Sequence, residues 1–396
     1  MRKKEPADGR TTKQCDENYL QATHARAKQH GDKCAQSPRV RDAGFENRVT
    51  LFCFLLTILV VYVHALNLGP AAGRPVQPAG TAGAWFSAAE NVLSNFISSA
   101  AVPGFFLLSA YLFFRGLRAV HAQDGLSGLA RAIFGKWRRR IRSLLLPFLL
   151  WNAIYYLLYV LFRGAPLSAS VAISALLDYR YNPVFWYMQQ LILLTLLAPL
   201  VLVLAWNRFL RVPLLYAAIL LAAHYELLPF HLVNEDAFVY YLAGAMFGLD
   251  EEETLETCGT KRAFACASVF ALLAAIAAGV LLHPQAWHGK TMLLTATILF
   301  RLCAPIALLF LLTLLRLPQR PLPGFMRINF FVYAVHFLLV RLVNRILFRV
   351  APEEAGLLFA AYLLMPVLCF AVCYGLSLLL RCRLPGIYKL LTGGRN

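Results

Sequence analysis

The sequence is poor in charge, and acidic residues are scarcer than basic ones. Charged side chains make up 15% of the 396 residues, with 20 aspartates and glutamates against 38 lysines and arginines. Soluble domains carry about 25% charged residues and about 45–50% apolar ones, whereas apolar side chains reach 59% here. This composition excludes an ordinary soluble domain and predicts a polytopic membrane protein.

Signal-peptide, nucleotide-loop and metal-site patterns are also missing. No apolar segment precedes Val49, so we expect no signal peptide, and the polar, mixed-charge residues 1–47 predict a disordered basic cytoplasmic tail. The sequence contains no glycine-rich phosphate loop and no cluster of cysteine, histidine and carboxylate at ligand spacing. We therefore expect neither a P-loop nucleotide site nor a metal cofactor.

Long apolar runs separated by polar or Pro/Gly-rich segments predict an all-α, polytopic integral membrane protein with about ten transmembrane helices. The predicted spans are 49–68, 92–114, 143–162, 184–205, 212–229, 232–249, 263–282, 291–315, 328–348 and 356–380. Residues 48–385 form the predicted transmembrane domain, and residues 386–396 a short cytoplasmic tail.

The distribution of basic residues predicts the orientation of these spans. Most of the 38 lysines and arginines lie in the N-terminal tail, in the 115–142 loop and in alternate later connections. Because Lys and Arg collect on the cytoplasmic side of membrane proteins, both termini are predicted to be cytoplasmic. This distribution accounts for the net charge of +18 without a nucleic-acid partner.

The first predicted span carries one ionisable side chain of functional interest, His64. The span has 20 uncharged residues and is about 30 Å long, the thickness of a hydrocarbon core. Polar groups at membrane depth are costly and mark functional sites. His64 is therefore a candidate catalytic base, and the alternative is an interfacial histidine bonded to a neighbouring helix.

Basic residues at 136–142 are a candidate phosphate-binding element, with Arg139 and Arg142 among them. The alternative is an orientation signal that contacts lipid headgroups. In the second span, Ser109 and Tyr111 are candidate binding residues, although hydrogen bonding between helices is the favoured explanation for them.

Three cationic or titratable side chains lie deep in later spans. Arg301, His336 and Arg341 fall within predicted helices, and no aspartate or glutamate is securely inside any predicted span. Arginines at this depth need a partner or a wet cavity. An unneutralised cationic cavity predicts an anionic ligand.

Five segments, taken in order, resemble acyltransferase family 3, the membrane O-acyltransferases of envelope and exported glycans. They are LVVYVH at 59–64, VPGFFLLSAYL at 102–112, RRIR at 139–142 followed by Pro147, FWY at 185–187, and NFFVYAVH at 329–336. The sequence departs from the family pattern at Cys53, where arginine is usual, and at Ala110, where glycine is usual. Arg48, Arg301 and Arg341 are candidates for supplying the missing charge.

The resemblance implies an activity and a location. An acyl group, acetyl in our reading, would pass from cytosolic acyl-CoA to a hydroxyl of an envelope glycan or lipid-linked sugar, in the inner or plasma membrane among its lipids. His64 matches the family's essential histidine, and Arg139 and Arg142 match its paired arginines. An alternative from another class is a transporter or flippase for an anionic or lipid-linked glycan, with the deep arginines as its binding site.

Overall fold

The computed structural model describes residues 43–69, 72, 81–224, 233–250, 258–287 and 289–395, and this part of the chain is helical with no strand. The predicted N-terminal tail lies outside these residues except for positions 43–47. The α-helices are α1 (Ala43–Ala65), α2 (Thr81–Asn91), α3 (Ala101–Phe114), α4 (Leu117–Arg140), α5 (Leu146–Arg163), α6 (Ala169–Leu177), α7 (Trp186–Leu196), α8 (Ala198–Trp206), α9 (Arg211–Ala223), α10 (Glu235–Gly248), α11 (Thr260–Leu282), α12 (Lys290–Thr313), α13 (Asn329–Val350), α14 (Ala355–Arg383) and α15 (Pro385–Thr392).

The all-α, multi-pass architecture is confirmed, but the count of about ten spans is not. Within the described residues, seven helical stretches are long and apolar enough to cross a membrane, or eight if the bent pair α7–α8 counts as one span. Helices α9 and α10 occupy the positions of two predicted spans with only 13 and 14 residues. A transmembrane helix needs about 20.

Helix α1 lies at the centre of the bundle and packs against α3, α12, α13 and α14. Phe52, Leu56 and Val61 on this helix are completely or almost completely buried. The helix begins at Ala43 and ends at Ala65, whereas the sequence predicted 49–68. Its start extends into the polar region because the buried Asn47 donates through Nδ2 to the carbonyls of Pro318 and Arg320, at 2.6 and 2.9 Å.

The second predicted span is longer and less regular than expected. It begins at Thr81, and α2 and α3 are joined by a π-helical turn (Val92–Phe96) and a 3-10 turn (Ile97–Ala100). The irregularity precedes Pro103, which lies in the first turn of α3, where a missing N–H is tolerated. The irregular backbone therefore lies on the N-terminal side of the proline.

Two glycines bring α10 against α3. A Cβ atom at Gly244 would lie 2.2 Å from the carbonyl oxygen of Leu107, and one at Gly248 would lie 2.6 Å from that of Tyr111. These residues are one helical turn apart, so both lie on the same face of α10. Small residues on such a face allow the backbones of two membrane helices to approach closely.

Two further predictions about the elements need correction. The predicted 115–142 loop is the helix α4, which continues through a π-helical turn (Ile141–Leu145) into α5. The predicted span 184–205 is broken, because α7 and α8 meet at 65°. Pro199 lies in the first turn of α8, and it has no N–H to continue the hydrogen bonds of α7.

Basic segments gather at the end of the bundle where α1 begins, which we call the Ala43 end. The guanidinium of Arg115 lies 5.0 Å from the ring centre of Phe45 on α1. Nearby, Arg118 donates through Nη2 to the carbonyl of Trp206. The connections before α4 and after α8 thus lie at the end from which α1 starts, as the charge distribution predicted. The opposite end, where α1 stops, is called the Ala65 end below.

Candidate active site

A cavity of about 340 Å³ opens in the half of the bundle near the Ala43 end. Ligand pockets commonly have volumes of about 300–1,000 Å³. Its polar lining residues are Thr50, Cys53, Ser109, Arg140, Tyr187, Arg327, Asn329, Tyr333, Tyr388, Thr392 and Arg395. Three arginines and no carboxylate line it within the described chain, so the cavity is cationic.

The three arginines come from elements that are distant in sequence. Arg140 ends α4, Arg327 ends the 3-10 turn before α13, and Arg395 follows α15. The Nη2 of Arg140 donates to the carbonyl of Ser109 at 3.2 Å, and the Arg395 guanidinium lies 4.5 Å from the ring centre of Phe330. The C-terminal segment thus contributes part of the cavity wall.

The cations at 136–142 have three different surroundings in the structure. Lys136 donates through Nζ to the carbonyls of Phe113 and Arg115, the latter at 3.1 Å, so it caps the end of α3. Arg140 is one helical turn further on and enters the cavity. Arg139 and Arg142, the predicted phosphate-binding pair, are exposed and do not line the cavity.

Ser109 and Tyr111 have different surroundings. Ser109 lines the cavity. Tyr111 is 1% exposed and packs against Phe45 with ring centres 6.3 Å apart, so it belongs to the core of the bundle and not to the cavity wall. Tyr187 supplies a further hydroxyl to the cavity, and its ring packs against Phe106 at 4.7 Å.

His64 and His336 face each other beyond the cavity, towards the Ala65 end. Their ring centres are 5.3 Å apart, and Phe337 packs edge-on to His64 at 5.3 Å. His336 is completely buried, and its Nδ1 lies 2.8 Å from the carbonyl of Tyr333, a cavity-lining residue. Sequence reasoning identified both histidines but gave no reason to pair them.

The tautomer of His336 follows from this hydrogen bond. Because a carbonyl oxygen only accepts, Nδ1 carries the proton and donates it. In the neutral ring Nε2 is then an acceptor, and this buried nitrogen has no partner among the described residues. A buried acceptor without a partner is uncommon in proteins and calls for a functional explanation.

Polar groups at the Ala65 end fix the helix end that carries His64. The buried Glu90 accepts through Oε2 from the backbone N–H groups of Asn67 and Leu68, both at 3.0 Å. Asn344 on α13 donates through Nδ2 to the carbonyls of Ala65 and Leu66, both at 3.3 Å. These contacts satisfy backbone groups that a helix end leaves open. Sequence reasoning missed Glu90 and Asn344.

The deep arginines are placed differently from the prediction. Arg301 pairs with Asp236, with Nη1 and Oδ2 3.4 Å apart, and neither residue lines the cavity. The sequence placed no acidic group securely inside a predicted span, but Asp236 in the first turn of α10 offsets the charge of Arg301. Arg341 is exposed, and its guanidinium lies 5.2 Å from the ring centre of Phe337.

No group of three histidine, cysteine, aspartate or glutamate side chains is placed to hold a metal ion in the part of the chain that is described. A family model described as an acyltransferase domain matches residues 51–380. The chain belongs to this acyltransferase family. The matched region includes His64, Arg140 and His336 and ends before α15. No curated protein and no solved structure matches this acyltransferase.

Proposed function

We propose that this membrane acyltransferase moves an acetyl group from cytosolic acetyl-CoA, or another acyl group from its acyl-CoA, to a hydroxyl of an envelope or exported glycan. The observation that carries the proposal is the cationic cavity, lined by Arg140, Arg327 and Arg395, next to the His64–His336 pair. Acyl-CoA is an anionic donor that carries its acyl group at the end of a long pantetheine arm. The histidine pair supplies nitrogen bases beside the cavity.

The gathering of basic segments at the Ala43 end supports a cytoplasmic position for that end. By the positive-inside rule both termini are then cytoplasmic. The location that we propose is a cell inner or plasma membrane. The cavity opens towards the compartment that contains acyl-CoA. His64 lies ~16 Å further along α1 than Cys53, nearer the side where exported glycans are presented.

In this proposal the basic residues bind the phosphates of acyl-CoA, and the cavity holds its pantetheine arm. Arginine suits phosphate because its planar guanidinium donates two parallel hydrogen bonds. Arg140 lies in the cavity wall, while the exposed Arg139 and Arg142 beside it attract the donor by their charge. Ser109 lines the path, and the arm extends from there towards His64.

His64 acts as the general base in this proposal. Its ring accepts the proton of the acceptor hydroxyl while the oxygen bonds to the acyl carbon, and it returns that proton to the thiolate sulfur when the carbon–sulfur bond breaks. Proton transfer by a placed base contributes about 10²–10⁴-fold to a rate. His336, fixed by its bond to the Tyr333 carbonyl, holds the ring of His64 by packing against it and offers its unpartnered Nε2 to the acceptor hydroxyl.

A transporter for an anionic or lipid-linked glycan remains the alternative to test. The transporter function requires the deep arginines as an anion site. The charge of Arg301, however, is neutralised by Asp236. This leaves the enzyme as the better-supported function, because the arginines that do line the cavity are at the end assigned to the cytoplasm.

The test combines donor binding with activity. Acetyl-CoA at about 100 times its Kd should stabilise the purified protein against unfolding by about 2.7 kcal/mol, whereas a transporter would not respond. His64→Ala should keep this stabilisation but abolish acetylation of envelope glycans, measured by mass spectrometry. His283→Ala, at an exposed histidine after α11, is the matched control and should stay active. Full activity of His64→Ala would remove His64 from the mechanism.

A further inference from the structure

The segment after α14, predicted as a short tail, packs onto the bundle as part of the cavity wall. Tyr388 on α15 is 1% exposed and accepts a hydrogen bond through its hydroxyl from Nη2 of Arg381 at 3.0 Å. The indole Nε1 of Trp151 on α5 donates to the carbonyl of Leu391 at 3.0 Å. Buried aromatic packing and these two bonds fix α15 against α5 and α13.

A glycine then turns the chain towards the cavity. Gly393 adopts a left-handed conformation (φ +63°), and its N–H donates to the carbonyl of Leu390 at 3.3 Å, while the N–H of Gly394 donates to that of Lys389 at 2.9 Å. This pattern is a Schellman motif, which favours glycine. A Cβ atom at Gly393 would lie 2.7 Å from Cα of Ser143, so the turn is held directly against the π-helical turn that follows Arg140.

The turn delivers Arg395 to the cationic cavity, where no carboxylate of the described residues pairs with it. Arg395 is half-buried, lies over the ring of Phe330, and pairs with no acidic group of the described residues. Burial, together with the neighbouring charge of Arg140, lowers the pKa of Arg395 to about 10. Bringing a third guanidinium into this site is unfavourable unless an anion offsets it.

The position of Arg395 also bears on Cys53, where the sequence departs from the family pattern. Both residues line the same cavity, and the small thiol of Cys53 leaves room where a longer side chain would enter the cavity. The three candidates that the sequence offered for a compensating charge, Arg48, Arg301 and Arg341, are not among the residues that line the cavity. Arg395, which the sequence did not indicate, does line it.

We propose that Arg395, delivered by the C-terminal segment, binds a phosphate group of the acyl donor together with Arg140 and Arg327. The assignment of the phosphate to acyl-CoA rests on the proposed function. A membrane phospholipid headgroup offers the same phosphate chemistry, and the experiment separates the two sources. Arg395 therefore supplies the positive charge that Cys53, in the same cavity, does not supply.

The experiment measures CoA binding to the purified full-length protein by thermal unfolding across a CoA titration. Arg395→Gln should weaken CoA binding by about 10-fold or more, since hydrogen bonds to charged groups are worth about 1.5–3 kcal/mol. Lys389→Gln, at an exposed cation of α15, is the matched control and should bind CoA as the unaltered protein does. Adding Cys53→Arg to Arg395→Gln should restore binding.

Each contrary result would show which part of the proposal is wrong. An unchanged Kd for CoA in Arg395→Gln, or an equal loss in Lys389→Gln, would overturn the role of Arg395 while leaving the proposed function intact. No response of the unaltered protein to CoA would overturn the proposed function and this inference together. Arg395-dependent stabilisation by phosphatidylglycerol but not by CoA would overturn the donor assignment. If Arg395→Gln does not fold, Arg395→Lys, which loses the planar fork but keeps the charge, replaces it.

Discussion

At the scale of single residues, the pairing of His64 with His336 gives the site its chemical asymmetry. His336 is fixed through Nδ1, whereas His64 is only half-buried and contacts the rings of His336 and Phe337. The fixed ring can orient its partner, and the less constrained ring can accept and return a proton. In the proposed mechanism, the two histidines thus have different roles because their hydrogen bonds differ.

This division of roles predicts the effect of His336→Asn. The asparagine amide can still donate to the Tyr333 carbonyl, but the Nε2 acceptor is lost. We expect kcat to fall by up to about 10²-fold, as small misplacements of catalytic groups do, while KM for acyl-CoA stays near its original value. Steady-state kinetics of the purified enzyme measures both constants.

A structural role alone for His336 would give another result. The midpoint of thermal unfolding would then fall together with kcat in His336→Asn, and His336→Ala would be worse in both respects. An unchanged kcat in a variant of normal stability would exclude His336 from positioning His64.

At the scale of helices, most of what the sequence predicted concerns the long apolar runs. The positions of α1, α11, α12, α13 and α14 follow from hydropathy, because a membrane span needs a continuous apolar segment. The helix α4 was missed for the same reason, since its polar sequence lacks such a run. The break at Leu197 was missed because Leu197 lies within an otherwise uninterrupted apolar stretch.

The residues of the candidate site also divide into those that the sequence could indicate and those that it could not. His64, Ser109 and the basic cluster at 136–142 could be recognised because each is an unusual residue within or beside an apolar run. Arg327 and Arg395 could not, since their place in the cavity depends on contacts with elements far away in sequence. For the same reason the sequence could not distinguish Arg140 from its neighbours, because the face that Arg140 presents depends on how α4 packs.

The contact between α3 and α10 provides a prediction at this scale. Gly244→Ala should destabilise the protein by about 1–3 kcal/mol, because its Cβ would lie 2.2 Å from the carbonyl oxygen of Leu107. Gly279→Ala in α11 is the matched control, since nothing lies within 4 Å of its Cβ. There the higher helix propensity of alanine should leave stability unchanged or raise it by up to about 1 kcal/mol.

Thermal unfolding in detergent measures both glycine variants. If α3 and α10 pack as described, only Gly244→Ala lowers the unfolding midpoint. Equal midpoints for the two variants would mean that the helices do not approach closely at Leu107. Because Ser109 follows Leu107 on α3 by two residues, a displaced α3 should also reduce activity.

At the scale of the whole molecule, the proposed reaction depends on the two ends of the bundle facing different compartments. The cationic cavity belongs to the Ala43 end, and the histidine pair lies towards the Ala65 end. An acyl group that travels from one to the other crosses part of the membrane within the protein. The direction of transfer is therefore set by orientation, which the distribution of basic residues determines.

The orientation of the protein in the membrane can be tested by cysteine labelling in intact cells. Cys382 is exposed near the end of α14, on the side assigned to the cytoplasm, and Glu354 is exposed at the opposite end of that helix. A membrane-impermeant maleimide should label Glu354→Cys from outside, and it should label Cys382 only after the membrane is permeabilised. Labelling of Cys382 in intact cells would mean that the protein has the opposite orientation in the membrane. The cavity would then open on the side without acyl-CoA, which would rule out a cytosolic donor.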